Sequence, residues 1–377
     1  MKKWGRNVVG SLVAMVVLAT MSATGAVAST TATPRPLPVM LVRVPSTSLV
    51  YVVARRSCAS FCLQLWRTTD DGGAFKLRTL PPVEKVHGAP AGNLDELAFA
   101  NAEDGYAVTG ANRRTLYATF NGARSWHKEK DPAPQGLSDL TTSSGELYAV
   151  TSHCAKQKDG NVGCTDYRLL RSPLTSLTWS SSPIPNGRKY PYGFLGNVAA
   201  HGKDVWFTEG AQWSLIATSH NRGVTFTTSS SRPLISVAGC FLTATSSLDL
   251  WAQCPTGMQV SFAYSSDGGV HWLTVPTTQF MGTGGGYFDP VSNNLAYLDY
   301  GMTQPFDRVT TDGSHIRETR VGVLSCSRID SSIGDLTFTN RMDGYAICYP
   351  GDAWANARVE HTTDGGMTWR LVVLPRT

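Results

Sequence analysis

The sequence predicts an all-β chain folded as a seven-bladed β-propeller, with four antiparallel strands in each blade. Three observations carry this. A turn-like octapeptide recurs seven times, an aromatic residue recurs in step with it, and a proline follows most of the copies. The copies start at 68, 119, 172, 219, 265, 310 and 362, at intervals of 45 to 53 residues. Such a period is that of a propeller blade or solenoid unit.

The best-preserved octapeptide is Thr362-Thr363-Asp364-Gly365-Gly366-Met367-Thr368-Trp369. Thr68, Asp70 and Gly72 keep the pattern in the first copy, and Ser265, Asp267, Gly269 and Trp272 in the fifth. Asn121 and Asn221 replace Asp in the second and fourth, and Ala123 stands where Gly is expected in the second. The third copy keeps little beyond Ser172 and Trp179, and the sixth starts at Thr310 and loses its Gly and aromatic. The residue types fit a tight turn between the last two strands of a blade. Short hydroxyl and carboxylate side chains accept bonds from nearby amides, Gly supplies positive φ, and the ring packs between sheets. Each Asp of the pattern is thus read as structural.

The second signal is an aromatic just after the first hairpin turn of each unit: Tyr51, Tyr106, Tyr148, Trp206, Trp251, Tyr297 and Tyr345. Polar turns precede them, such as Asn101 to Gly105 and Arg341 to Gly344. These are hairpin signals. The prolines at 81, 132, 183, 233, 276 and 375 then end the outer strand. Each unit therefore reads as strand, turn, strand, loop, strand, octapeptide turn, strand. The two kinds of turn share one face, and the longer loops share the other.

Composition agrees. With 36 Gly and 20 Pro, 16% charged and 10% aromatic residues, the 377-residue chain suits one large β domain of short strands. The domain is placed at 37–377, after a polar linker at 29–36. Residues 1–28 read as a signal peptide: Lys2, Lys3 and Arg6, an apolar run from Val8 to Ala19, and Ala26-Val27-Ala28 before a cut. A secreted or extracytoplasmic monomer is expected, without lipid anchor or membrane span. Removing that segment leaves 30 basic against 28 acidic residues. This excludes a general nucleic-acid binder.

Eight cysteines behind a signal peptide imply disulfides. Cys240 and Cys254 flank a hairpin turn symmetrically, Cys154 and Cys164 bracket one long loop, and Cys326 and Cys348 bracket the last first hairpin. Cys58 and Cys62 share a loop, although either could instead reach Cys348 across the ring closure. No CxxC and no His cluster occurs, so neither metal nor cofactor is expected.

The octapeptide resembles the Asp-box (BNR) repeat, S/T-x-D-x-G-x-T-W, over the whole chain after its first few dozen residues. That family includes sialidases, so the resemblance implies an enzyme alternative: a sialidase-like retaining glycoside hydrolase with three Arg, a Tyr–Glu pair and an acid/base Asp. Arg43-Val44-Pro45 imitates its first Arg motif, but no Tyr–Glu pair can be placed. The carboxylates Asp95, Glu96, Glu209, Asp289, Asp299, Asp335 and Asp352 show no pairing by spacing and are read as solvated loop groups. No catalytic residue is assigned.

A nearer resemblance is to seven-bladed BNR proteins typified by photosystem II assembly factors. It rests on Leu97-Ala98-Phe99 through Gly105-Tyr106-Ala107-Val108, and on Leu336 to Asn340 through Gly344-Tyr345-Ala346 and His361 to Trp369. What it implies is a non-catalytic binding propeller. The binding surface is expected on the loop face, where Arg55, Arg56, Arg113, Arg114, Arg188, Lys189, Arg328 and Arg358 map with Tyr190, Trp213, Tyr287 and Trp354. Cations among rings suit an anionic extracellular or envelope protein or glycan.

Overall fold

The structure is a computed structural model. It describes residues 36–376 except 46, 57–61, 71–73, 84–90, 111–114, 131, 134–136, 157–161, 186–195, 209–215, 230–239, 256–259, 276–286, 300–306, 325–331 and 351–355. These belong to one compact unit, Pro34–Thr377. The signal peptide and most of the linker lie outside the described residues.

Among the described residues, 28 strands form seven four-stranded sheets, and no α-helix occurs. Each sheet takes four consecutive strands, all antiparallel; in blade one these are Leu37–Arg43, Val50–Arg56, Cys62–Asp70 and Ala74–Arg78. Leu37–Arg43 therefore opens blade one rather than completing blade seven. The inner strands of the later blades are Leu94–Phe99, Ser138–Ser143, Asn197–His201, Phe241–Ala244, Tyr287–Ser292 and Ser332–Phe338.

Seven apolar clusters fill the seven seams between neighbouring blades. The last, with Leu41, Val52, Trp66, Tyr345, Ile347 and Val359, joins blade seven to blade one and closes the ring. The seven aromatics read from the sequence are all fully buried at these seams. Each ring removes a large apolar surface from water. Four also reach a backbone carbonyl in a turn of the next blade: Tyr106 to Leu174, Trp206 to Gly268, Trp251 to Ser292 and Tyr297 to Arg341, at 2.7–3.1 Å. The side chain thus packs a seam and latches it.

The octapeptide turns fold as their residues require. In the last copy Thr362 donates to Asp364 at 2.8 Å and accepts the Gly366 amide at 3.0 Å, while Asp364 accepts the amide and hydroxyl of Thr368. Asp267 does the same for the amides of Val270 and His271, and Asn221 for that of Thr225. The fifth position has positive φ at Gly223, Gly269 and Gly366, and Ala123 adopts φ 60° there despite its Cβ. Thr68 is buried and accepts the Val50 amide; the side chain of Asp70, and Gly72, lie outside the described residues.

The sixth copy corrects the sequence register by one residue. The buried hydroxyl is Thr311, which accepts the Gly313 amide, whereas Thr310 is half-buried and bonds Arg317 O. Without room for an eight-residue turn, Asp312 instead gathers the amides of Ser314 and His315 in a shorter loop.

In six blades an amide in or beside this turn donates to the first hairpin turn of its own blade. Gly122 reaches Glu103 O, Leu174 reaches Gly145, Arg222 reaches Lys203, Gly268 reaches Leu248, Thr311 reaches Asn294 and Gly365 reaches Met342. Both kinds of turn therefore share one face, and the longer loops lie on the other.

Cys240 and Cys254 form a disulfide across the first hairpin of blade five, with Cα atoms 4.1 Å apart. Cys164 is disulfide-bonded and stands opposite Cys154 in the hairpin register. Cys62 and Cys348 are disulfide-bonded too, while Cys58 and Cys326 lie outside the described residues.

Candidate functional site

The inner strands surround a central cavity of about 960 Å³. One position on these strands recurs around the ring, opposite the residue two after the seam aromatic: Met40, Glu96, Asp139, Asn197, Phe241, Tyr287 and Asp335, with Asp289 two residues further along blade six. In blades one, two, three and seven it lies at a register shift against the second strand. Such a bulge re-aims a side chain, and Asp139 itself takes φ 56° there.

The re-aimed groups bind the next blade. Glu96 accepts the amides of Asp139 and Leu140, each at 2.6 Å. Asp139 accepts the Val198 amide and the Asn197 side-chain amide. Asn197 accepts the Leu242 amide at 2.6 Å. Asp289 accepts the Phe338 amide, and Asp335 accepts Leu41 N at 2.7 Å across the ring closure. Three members of the set, Met40, Phe241 and Tyr287, carry no such acceptor, and Phe241 is 55% exposed.

Glu96, Asp289 and Asp335 are therefore not the solvated loop groups expected from sequence, and Asp299 is also buried. Burial pushes Asp139 up to about 7, helped by Glu96 and opposed by the amides of Val198 and Asn197. Burial likewise pushes Asp335 up to about 7 against the amides of Leu41 and Leu336. Asp289 is raised by burial too, with Arg43 opposing. Glu209 and Asp352 lie outside the described residues.

Arg43, the imitation of a sialidase Arg, is committed to the ring. Its Nη1 lies 3.4 Å from Asp289 Oδ1 and donates to Phe338 O at 3.2 Å. It ties blade one to blades six and seven, so its fork is not presented to a substrate carboxylate.

Of the loop-face set, Arg55 and Arg56 end the second strand of blade one, and Arg358 begins the third strand of blade seven; all three are exposed. Arg358 also lines a cavity of about 380 Å³ with Pro36 to Pro38, Asn356 to Val359 and Leu371 to Leu374. Tyr287 is half-buried, its hydroxyl raised by burial and by Asp335, Tyr349 and Asp299. It belongs to the wall between blades six and seven rather than to an open surface. Arg113, Arg114, Arg188, Lys189, Tyr190, Trp213, Arg328 and Trp354 lie outside the described residues. Among the described residues, no group of three His, Cys, Asp or Glu could hold a metal, and no helix is long and apolar enough to cross a membrane.

The inner-strand acceptors escaped the sequence reading. Their signal is faint: a polar acceptor 8 to 10 residues before the seam aromatic, as in Glu96/Tyr106, Asp139/Tyr148, Asn197/Trp206, Asp289/Tyr297 and Asp335/Tyr345.

No protein-family model and no curated protein matches the chain. Solved structures do. Ycf48 from Cyanidioschyzon merolae superposes with a TM-score of 0.52 at 14% identity, over 78% of this chain and 87% of that one. Ycf48 bound to a D1 peptide gives 0.51 at 15%, over 77% and 86%. The β-propeller domain of the Trilobed protease from Pyrococcus furiosus, described as having an open velcro topology, gives 0.56 at 9%, over 91% and 99%. At such identities the likeness is one of fold.

Proposed function

We propose that this chain is a secreted, non-catalytic propeller that binds an extracellular or envelope partner, protein or glycan, through its loop face. The observation that carries the reading is a set of exposed arginines on adjoining blades: Arg55, Arg56 and Arg358 stand on the loop side of blades one and seven. Guanidinium forks suit carboxylate-bearing partners. A structural neighbour, Ycf48, has been captured with a peptide, which supports a protein partner over a glycan. The Ser/Thr–Asp/Asn–Gly bonding of the octapeptide turns supports reading the chain as a BNR propeller. In the same reading, residues 1–28 export the chain and are removed after Ala28. The engagement of Arg43 by Asp289 argues against the glycosidase alternative.

The test is binding of the oxidised protein to arrays of acidic peptides and acidic glycans. Reversing Arg55, Arg56 and Arg358 together to Glu is expected to lower affinity at least tenfold, about 1.4 kcal/mol, with the fold intact by circular dichroism. Unchanged binding would remove this face from the function. Turnover of aryl sialosides that survives purification and is lost in Arg43→Ala would overturn the non-catalytic reading.

A further inference from the structure

The channel wall holds a run of hydrogen bonds that neither the turns nor the loop face explain. Glu96 of blade two grips the backbone of Asp139 and Leu140 in blade three. Asp139 grips Asn197 and Val198 in blade four. Asn197 passes the link to Leu242 in blade five. One carboxylate thus sits on the backbone amide of the residue that supplies the next, and three seams hang on two acids and an amide.

We propose that this run is a proton-controlled latch: Asp139 carries a proton when the seams are closed, and its ionisation sets it against Glu96 and loosens the inner strands of blades two to four.

The surroundings favour this. From the inner strand of blade two, Asp95 and Glu96 line the same cavity, both acidic. From blade four the nearest groups are the neutral Asn197 and Val198, with His201 at the far, turn end of the strand. The second strand of blade three sets Ala149 and Val150 against the bulge; Glu146 lies at the turn end, paired with Arg222, and His153 lies beyond on the loop side. The cavity's Arg43 is held by Asp289 and does not count among the causes that shift Asp139. An ionised Asp139 therefore meets a like charge at Glu96, with two amides as compensation. Burial and Glu96 outweigh those amides. Because Asp139 holds its proton more tightly folded than unfolded, the latch is fully closed below about pH 4 and is released as pH rises through about 7.

Hydrogen exchange of peptides spanning 137–142 and 197–201, corrected for intrinsic rates, tests this at pH 5.5 and 8.5 on the oxidised protein. Protection of both should fall about tenfold between the two conditions, one unit's worth of differential protonation. Protection should stay level in Asp139→Asn, which keeps an acceptor and cannot ionise. Equal protection of the wild type at both pH values would overturn the latch, as would the same fall in Asp139→Asn. If that variant does not fold, carbon-13 titration of the wild-type Asp139 carboxyl decides: a midpoint near 7 supports the latch and one below 5 overturns it.

Discussion

Two sets of carboxylates in this molecule perform the same act and answer to protons in opposite ways. In the octapeptide turns, Asp267, Asp312 and Asp364 accept backbone amides of their own loop. On the channel wall, Asp139, Asp289 and Asp335 accept backbone amides of another strand. Burial raises Asp267, but the amide and ring of His271 and the hydroxyl of Ser265 together outweigh it and hold the carboxyl below the ordinary range. At Asp364 burial also raises, and the bonds from Thr368 and Thr362 together outweigh it. The amides of Ser314 and His315 lower Asp312. On the channel wall the order of forces reverses, because burial outweighs the amides and a neighbouring carboxylate adds to it at Asp139 and Asp335. An Asp with amide donors is held as an anion only where those donors outweigh the cost of burial.

The largest effect of this difference is on the pH dependence of stability. Between about pH 4 and 7 the folded chain binds more protons than the unfolded one at Asp139 and Asp335, so stability falls as pH rises through that window. Each raised group contributes on the order of 2–4 kcal/mol. Replacing Asp335 with Asn should flatten part of that fall, as read by urea midpoints across the window. Below about pH 4 the turn groups act the other way. Their anions stabilise the fold above the ordinary carboxylate pKa, and that contribution is lost as they take up protons.

Next in size is the pair at the ring closure. Asp289→Ala leaves Arg43 in the channel without its carboxylate and Phe338 N without its acceptor. A loss of about 2–3 kcal/mol is expected in denaturant unfolding. Asp289→Asn, which keeps an acceptor for Phe338, should lose less. Equal losses would mean that the hydrogen bond from Phe338 contributes nothing beyond the ion pair.

Smaller still are the turns. Asp364→Ala removes three bonds at a partly exposed site and should cost about 1–2 kcal/mol. In the sixth blade, Thr311→Ala should cost about 1 kcal/mol and Thr310→Ala under about 0.5. The opposite ranking would restore the register expected from sequence.

The same comparison shows what a sequence displays. The turn Asp residues bond to amides two to four positions away, so the pattern that needs them is written in one octapeptide. The seam aromatics are legible for a related reason: each sits at a fixed place beside its own hairpin turn. The channel acceptors bond to amides 43 to 59 residues away, or 294 at the closure, and no local pattern records such a partner. The recurring position also tolerates Glu, Asp and Asn, and in three blades Met40, Phe241 and Tyr287. The one-residue slip at Thr310 arose because two threonines in a row satisfy the motif, and only the length of the turn decides which hydroxyl is buried. The loop-face set is read from composition alone, and most of its members lie outside the described residues. Tyr287 could not be assigned to wall or surface without the inner strands of two blades in place.

The most direct measurement is the urea unfolding midpoint of the oxidised protein from pH 3 to 8.5 at constant ionic strength. A maximum near pH 4–5 followed by a decline to pH 8 is the result expected if buried channel carboxylates outweigh those of the turns. A midpoint that rises steadily to pH 7 would contradict it, and would mean that the channel Asp residues are ionised, solvated anions like those of the turns.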